Sequence, residues 1–271
     1  MMCRWISGLL LAGFLTACAW PPVQPGMSAG SDDDLPERAQ RDLPLHSLEA
    51  RQVARRLFKT PEPVREWVPF LLPGKSFARF DAAHVQGRPA LVVVADRSVS
   101  ILRQQTDTAP VQAGRLAFSW KVDGLPPGAD LTDAQNEDSP VRIVLAFDGD
   151  WTQLAPRAHR LSELTRLLTG EPLPYASLVY VWSNTEPVGT IVVNPRTDRI
   201  RKLVVESGPE HLGRWRDHER DVHADFLKAF GEPPGPLRAV ALMTDTDNTQ
   251  SQLKAWYGPL TLQPRAGGDA R

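Results

Sequence analysis

From Trp67 onward the apolar residues fall in short runs or in alternation, broken every few positions by Gly, Pro or Asp. Runs of that kind suit a pleated strand with one face buried, because successive side chains point to opposite sides of a sheet. The pattern predicts strands at 77–80, 90–94, 99–102, 116–122 and 141–147, and again at 178–182, 190–193, 202–206, 239–243 and 255–262. Most connections are too short for the helix that parallel neighbours need between them, so the strands are expected to run antiparallel in two stacked layers. Three segments change period. Ala50, Val53, Ala54, Leu57 and Phe58 follow helical spacing behind Ser47, a ready N-cap. Leu161, Leu164, Leu167 and Leu168 do so within 159–169 ahead of Gly170, and Val222, Phe226, Ala229 and Phe230 within 218–230 ahead of Gly231. The expected fold is mainly β: an antiparallel β-sandwich of jelly-roll or lectin-like form with two or three peripheral helices. It occupies 47–264 as a single domain.

The two ends read differently. Residues 1–17 carry Arg4 and then the apolar run 6–15, too short for a stable membrane span and suited to a signal peptide. Leu15-Thr16-Ala17-Cys18 resembles the bacterial lipobox, so Cys18 is the expected lipidation site, and Ala19 lacks the Asp that holds similar lipoproteins at the inner membrane. The expectation is a lipoprotein anchored to the membrane through its lipid, at the outer membrane facing the periplasm. Residues 18–46, rich in Pro, Gly, Ser and Asp, form a flexible tether, and 265–271 form a disordered tail. The two cysteines, Cys3 and Cys18, both precede the domain, so neither a disulfide nor a cysteine-based zinc site is expected within it.

Charge narrows the function. The 31 basic side chains balance 32 acidic ones without a Lys/Arg run, which removes the electrostatic footprint of a nucleic-acid binder. Acidic residues gather twice. Asp245 and Asp247 share a face of an extended segment, with Asn248 and Thr249 adding oxygens, and Asp130, Asp133, Glu137 and Asp138 precede the strand at 141. If both groups meet at one rim, they offer the hard oxygens that calcium takes, although the Gly and Glu of an EF-hand loop are missing. Calcium is therefore an open reading at Asp245 and Asp247, beside the simpler one in which Asp and Asn close a turn. The same carboxylates raise a glycan-acting hydrolase or lyase, but no G-x-S-x-G elbow or glycosidase signature is present. His218 and His223 lie five apart and do not form a zinc-binding i, i+4 pair. Among eight tryptophans, Trp120 and Trp182 sit inside apolar strands and belong to the core. Trp215 and the Trp256-Tyr257 pair are the candidates for a sugar-facing platform.

The phrases "FSWKVDGLPPGAD", "VRIVLAFDGD", "LPYASLVYVWSN" and the long run from "VVESGPEHLGRW" to "ALMTDTDNTQSQLKAWYG" resemble the bacterial DUF3047 family over about 65–262. That resemblance implies one domain and carries no activity, since the family's function is unknown. The closing "AVALMTDTDNT…KAWYGPLTL" is similar to the last hairpin of jelly-roll carbohydrate-binding modules. The reading is a non-catalytic binding module for a glycan or another envelope component. Asp245, Asp247, Asn248, Trp215, Trp256, Tyr257, Glu137 and Asp138 are its candidate contacts. The alternatives are the hydrolase or lyase above and a scaffold for an envelope protein complex, the last marked by a wide apolar patch.

Overall fold

A computed structural model describes residues 47–61, 65–108 and 114–264. The signal peptide, Cys18, the tether and the tail lie outside the described residues. The elements in order are α1 (Leu48–Leu57), β1 (Phe58–Lys59), β2 (Trp67–Pro69), β3 (Phe80–Val85), β4 (Arg88–Asp96), β5 (Val99–Thr108), β6 (Arg115–Val122) and β7 (Ser139–Phe147). There follow α2 (Pro156–Thr169), β8 (Ala176–Ser183), β9 (Ile191–Val193), β10 (Ile200–Ser207), β11 (Arg216–Asp221), α3 (Val222–Phe230), β12 (Leu237–Asp245) and β13 (Gln252–Gln263).

The strands form two sheets, as the alternation predicts. One has seven strands in the order β2-β5-β12-β7-β8-β10-β9; the other has six, β11-β6-β13-β4-β3 with β1 beside β13. Between them lies one apolar core, where Leu102, Ile143, Leu178 and Leu242 of the first sheet meet Phe80, Leu91, Phe118 and Ala255 of the second. Trp120 and Trp182 are fully buried within it, as expected. Each sheet gains most of its stability here, at about 25 cal/mol per Å² of apolar surface removed from water.

Most pairings are antiparallel, with two exceptions. β8 and β10 run parallel, and β1 lies parallel to the end of β13. The first arises because residues 184–199, which include β9, give the chain enough length to return and insert β10 between β8 and β9.

Three local expectations change. The strand predicted at 77–80 begins only at Phe80 and runs to Val85, turning into β4 through Gln86 and Gly87 at positive φ. The helix predicted from His218 begins at Val222, because 216–221 pair antiparallel with β6 as an edge strand, and Asp221 caps the helix by accepting from the Ala224 amide. The third concerns α2. The helix predicted at 159–169 begins at Pro156, and Leu164, Leu167 and Leu168 are 51%, 76% and 61% exposed, while Ser162 is buried and Thr165 and Thr169 line the groove over the sheet. Among the described residues, no helix is long and apolar enough to cross a membrane.

Candidate functional site

Three of the crossings between sheets occur at one end of the sandwich: β4 to β5 through 97–98, β6 to β7 through 123–138, and β12 to β13 through 246–251. The Ser98 amide donates to Thr246 Oγ1 at 3.1 Å, and the Arg97 amide to the Ser251 carbonyl at 2.9 Å, so these connections are bonded to one another. Asp245 sits opposite Ser139 in the β12–β7 ladder. The fold therefore delivers the two acidic groups to one corner. One carboxylate oxygen from each of Asp138, Asp245 and Asp247 lies within 4.8 Å of the other two.

The members of that corner differ in their partners. Asp138 accepts from the Thr249 amide and hydroxyl, both at 2.7 Å, and from the Asn248 amide at 3.3 Å. Asp247 pairs with Lys75. Asp245 lies 3.3 Å from Arg142, yet burial outweighs that cation and pushes its carboxyl up to about 7. Glu137 points away from the trio into a second cluster. It accepts from Lys202 Nζ at 2.6 Å and Asn194 Nδ2 at 2.8 Å, and it pairs with Arg196. Burial, aided by Arg142, drives the Lys202 amine down to about 7. Asp130 and Asp133 do the work of turns, accepting from the amides of Thr132 and Gln135 at 2.8 and 2.9 Å.

The aromatic candidates do not join the acids. Tyr257, expected on the ligand side, is buried inside the sandwich, where its hydroxyl donates to the Met243 carbonyl at 2.7 Å and meets Thr244 Oγ1 at 2.8 Å. It alternates along β13 with Trp256, so only one of the two can face outward. Trp256 lies over the six-stranded sheet between Lys121 and Lys254, at 4.9 and 5.8 Å. Trp215 packs on Gly258 of the same sheet, donates to the Val85 carbonyl at 3.1 Å and sits under Arg88.

The histidines also separate, with His218 on β11 and His223 on α3. His218 lies between Phe118 and Trp120, with centroids 5.1 and 5.3 Å away. Glu206 is 3.5 Å from its ring, but that carboxylate already takes Arg216 at 2.6 Å and His211 at 2.9 Å, so burial prevails and lowers His218 to about 4. The ring therefore loses its proton near pH 4 when folded and near 6.5 when unfolded. Between those values the unfolded chain binds more protons, and stability rises with pH. Replacing His218 with Phe is expected to flatten the rise in melting temperature between pH 4.5 and 6.5; an unchanged slope would show that another group causes it.

A feature missed by the sequence reading lies on the outward face of the seven-stranded sheet. There a groove of about 760 Å³ opens over a floor that includes Ile101, Val144, Ala146, Ala239, Ala241 and Met243. Small residues on adjacent strands leave the space. One wall is α2, through Thr165 and Thr169; another comprises Phe70 and Leu72. Across the floor Arg103 donates to both oxygens of Glu171, at 2.6 and 2.8 Å, and lies 4.3 Å from the Phe70 ring centre. At one end Trp151 and Tyr175 meet edge to face at 6.2 Å, and Asp148 pairs with Arg238 at 2.8 Å, which holds the carboxyl below its usual range. Gly149 is required there, because a Cβ at that position would run into the Tyr175 ring.

An apolar groove of this size with a few fixed polar pairs is the usual make-up of a small-molecule site, catalytic or not. The family model for DUF3047, a protein of unknown function, matches residues 65–261, and the chain belongs to that family. No curated protein matches the sequence significantly. Among solved structures the chain is similar to the xyloglucanase domain of NopAA, a type three effector from Sinorhizobium fredii, in complex with cellobiose. The identity is 8%, over 73% of this chain and 98% of that one, with a TM-score of 0.37. Endo-1,4-β-glucanase CelB2 is similar at 11% identity, over 73% and 99% of the two chains, with a TM-score of 0.35. A CBM4 structure is similar at 11%, over 74% and 87%, with a TM-score of 0.30. Likeness of that degree carries no argument about activity.

Proposed function

We propose that this is a non-catalytic binding protein of the bacterial cell envelope, and that it takes a glycan or a similar polyhydroxy ligand in the groove of the seven-stranded sheet. The observation that carries the reading is the groove itself: an apolar floor, an aromatic pair at one end, and Arg103–Glu171 fixed beside it. Apolar faces of sugar rings suit such a floor and an aromatic ring such as Trp151, and hydroxyl groups suit the paired charges. The candidate platform accordingly moves from Trp215 and Trp256 to Trp151.

A hydrolase fits less well. The groove's two carboxylates, Asp148 and Glu171, are each held by an arginine, and Asp148 is shifted down, opposite to what a general acid requires. The carboxyl raised to about 7, Asp245, does not line the groove. The scaffold reading has the exposed leucines of α2 on its side, but a cleft lies directly beside them.

The localisation part of the proposal rests on the lipobox. Changing Cys18 to Ala is expected to release the protein from the membrane fraction, and unaltered fractionation would remove the anchor. The binding part is tested by probing a glycan array with the domain; the expected result is a restricted set of bound glycans, and an array without a hit would overturn it.

A further inference from the structure

We infer that the corner formed by Asp138, Asp245 and Asp247 is a calcium site, independent of whatever occupies the groove. Two observations support it together. The first is the spacing: three carboxylate oxygens, one from each residue, lie within 4.8 Å of one another. Calcium binds oxygen at 2.3–2.6 Å, so ligands across one ion stand up to about 5 Å apart, whereas the 2.0–2.1 Å bonds of magnesium demand a tighter set.

The second is an oxygen without a donor. Asp245 is only 5% exposed, and its Oδ1 is buried with no hydrogen-bond partner, although Arg142 lies 3.3 Å from Oδ2. Once Asp245 and Asp247 are both ionised, their oxygens only accept and cannot satisfy each other. A cation between them does so.

The charge balance leaves room for one. Arg142 and Lys75 face Asp245 and Asp247, while Asp138, 1% exposed, is oriented by the neutral amides of Asn248 and Thr249 and the Thr249 hydroxyl. The Lys75 side chain is 40% exposed and can leave Asp247 for solvent when an ion enters. Water would complete the shell. Asp138 precedes β7, and Asp245 and Asp247 stand where β12 gives way to the 246–251 connection, so the ion would tie the crossing between the sheets to the start of β7.

The test uses the full chain, stripped with chelator and titrated with calcium chloride by calorimetry, with thermal melts alongside. The expected result is one ion per chain, a melting temperature raised by calcium more than by equal magnesium, and affinity lowered on the order of tenfold or more in Asp138→Asn. Should that buried change prevent folding, Asp247→Asn, whose side chain is 13% exposed against 1% for Asp138, is expected to show the same loss. A wild-type chain with neither heat nor a melting shift would overturn the site. So would undiminished affinity in the variants that fold.

Discussion

Glu137→Ala is expected to lose about 3–5 kcal/mol of stability, the usual consequence of stranding one member of a buried ion pair. The Lys202 side chain is 2% exposed, and its ammonium has two acceptors, Glu137 Oε2 at 2.6 Å and the Leu131 carbonyl at 3.1 Å. Without Glu137 only the carbonyl remains, and Arg142 is close enough to disfavour a second positive charge. The 123–138 connection would loosen with it, since Leu131 packs on Val181, Val192 and Val204 in a small cluster outside the main core. The pH dependence carries the signature. In the native protein Lys202 is lowered to about 7 from 10.5, so the unfolded chain holds more protons across that interval and stability rises with pH. Removing Glu137 lowers the folded value further, so the loss should be largest near pH 6 and ease as the amine becomes neutral. Glu137→Leu combined with Lys202→Met should recover most of the stability, because a buried pair replaced by apolar groups is often neutral or better. Urea melts at pH 6 and pH 9 measure this; a single variant as stable as the wild type at pH 6 would contradict it.

Ala241→Trp is expected to weaken ligand binding sharply. Ala241 stands in the middle of β12, opposite Arg103 on β5 and Val144 on β7, with its methyl group turned to the groove floor. An indole there occupies the space a ligand needs and meets no core residue, since the inward neighbours Val240 and Leu242 are untouched. Ala241 is only 6% exposed, so a thermal melt run alongside checks that the added bulk leaves the domain folded. Affinity for any glycan the wild type selects should fall on the order of 100-fold, about 2.7 kcal/mol. Calorimetry with that glycan decides it, and wild-type affinity in the variant would place the ligand elsewhere.

The sandwich was legible because burial on one face imposes a period of two, seen in β6 and β13, while β4 and β7 show as short apolar runs. Edge elements were harder. The 216–221 stretch, RDHERD, has no apolar period at all; it becomes β11 because β6 offers a free edge, and a partner strand cannot be read from local sequence. In α2 the period predicts the helix but not its orientation. A leucine stripe predicts a helix, but which side meets the protein depends on the sheet beneath, and here Ser162 is the residue that ends buried.

The acidic corner could be anticipated as two groups of oxygens, because strand ends and crossings gather at the poles of a sandwich. The choice among its members could not. Glu137 and Asp138 are adjacent, yet one turns to Lys202 and the other to Thr249. Lys202 itself gave no signal, since a lysine in a strand ordinarily reads as solvent-facing. The groove escaped notice because it is made by small side chains. Ala239 and Ala241 alternate with Val240 and Leu242, and only after β5 and β7 are placed on either side does the missing bulk become a cavity.

The central claim is that ligand meets the outward face of the seven-stranded sheet. Backbone amide shifts recorded while the glycan chosen by the array is titrated into the domain test it most directly. The account predicts that the largest changes fall at 101–105, 144–148, 171–177 and 239–243. Changes confined to 215–219 and 254–258, over the six-stranded sheet around Trp215 and Trp256, would contradict it.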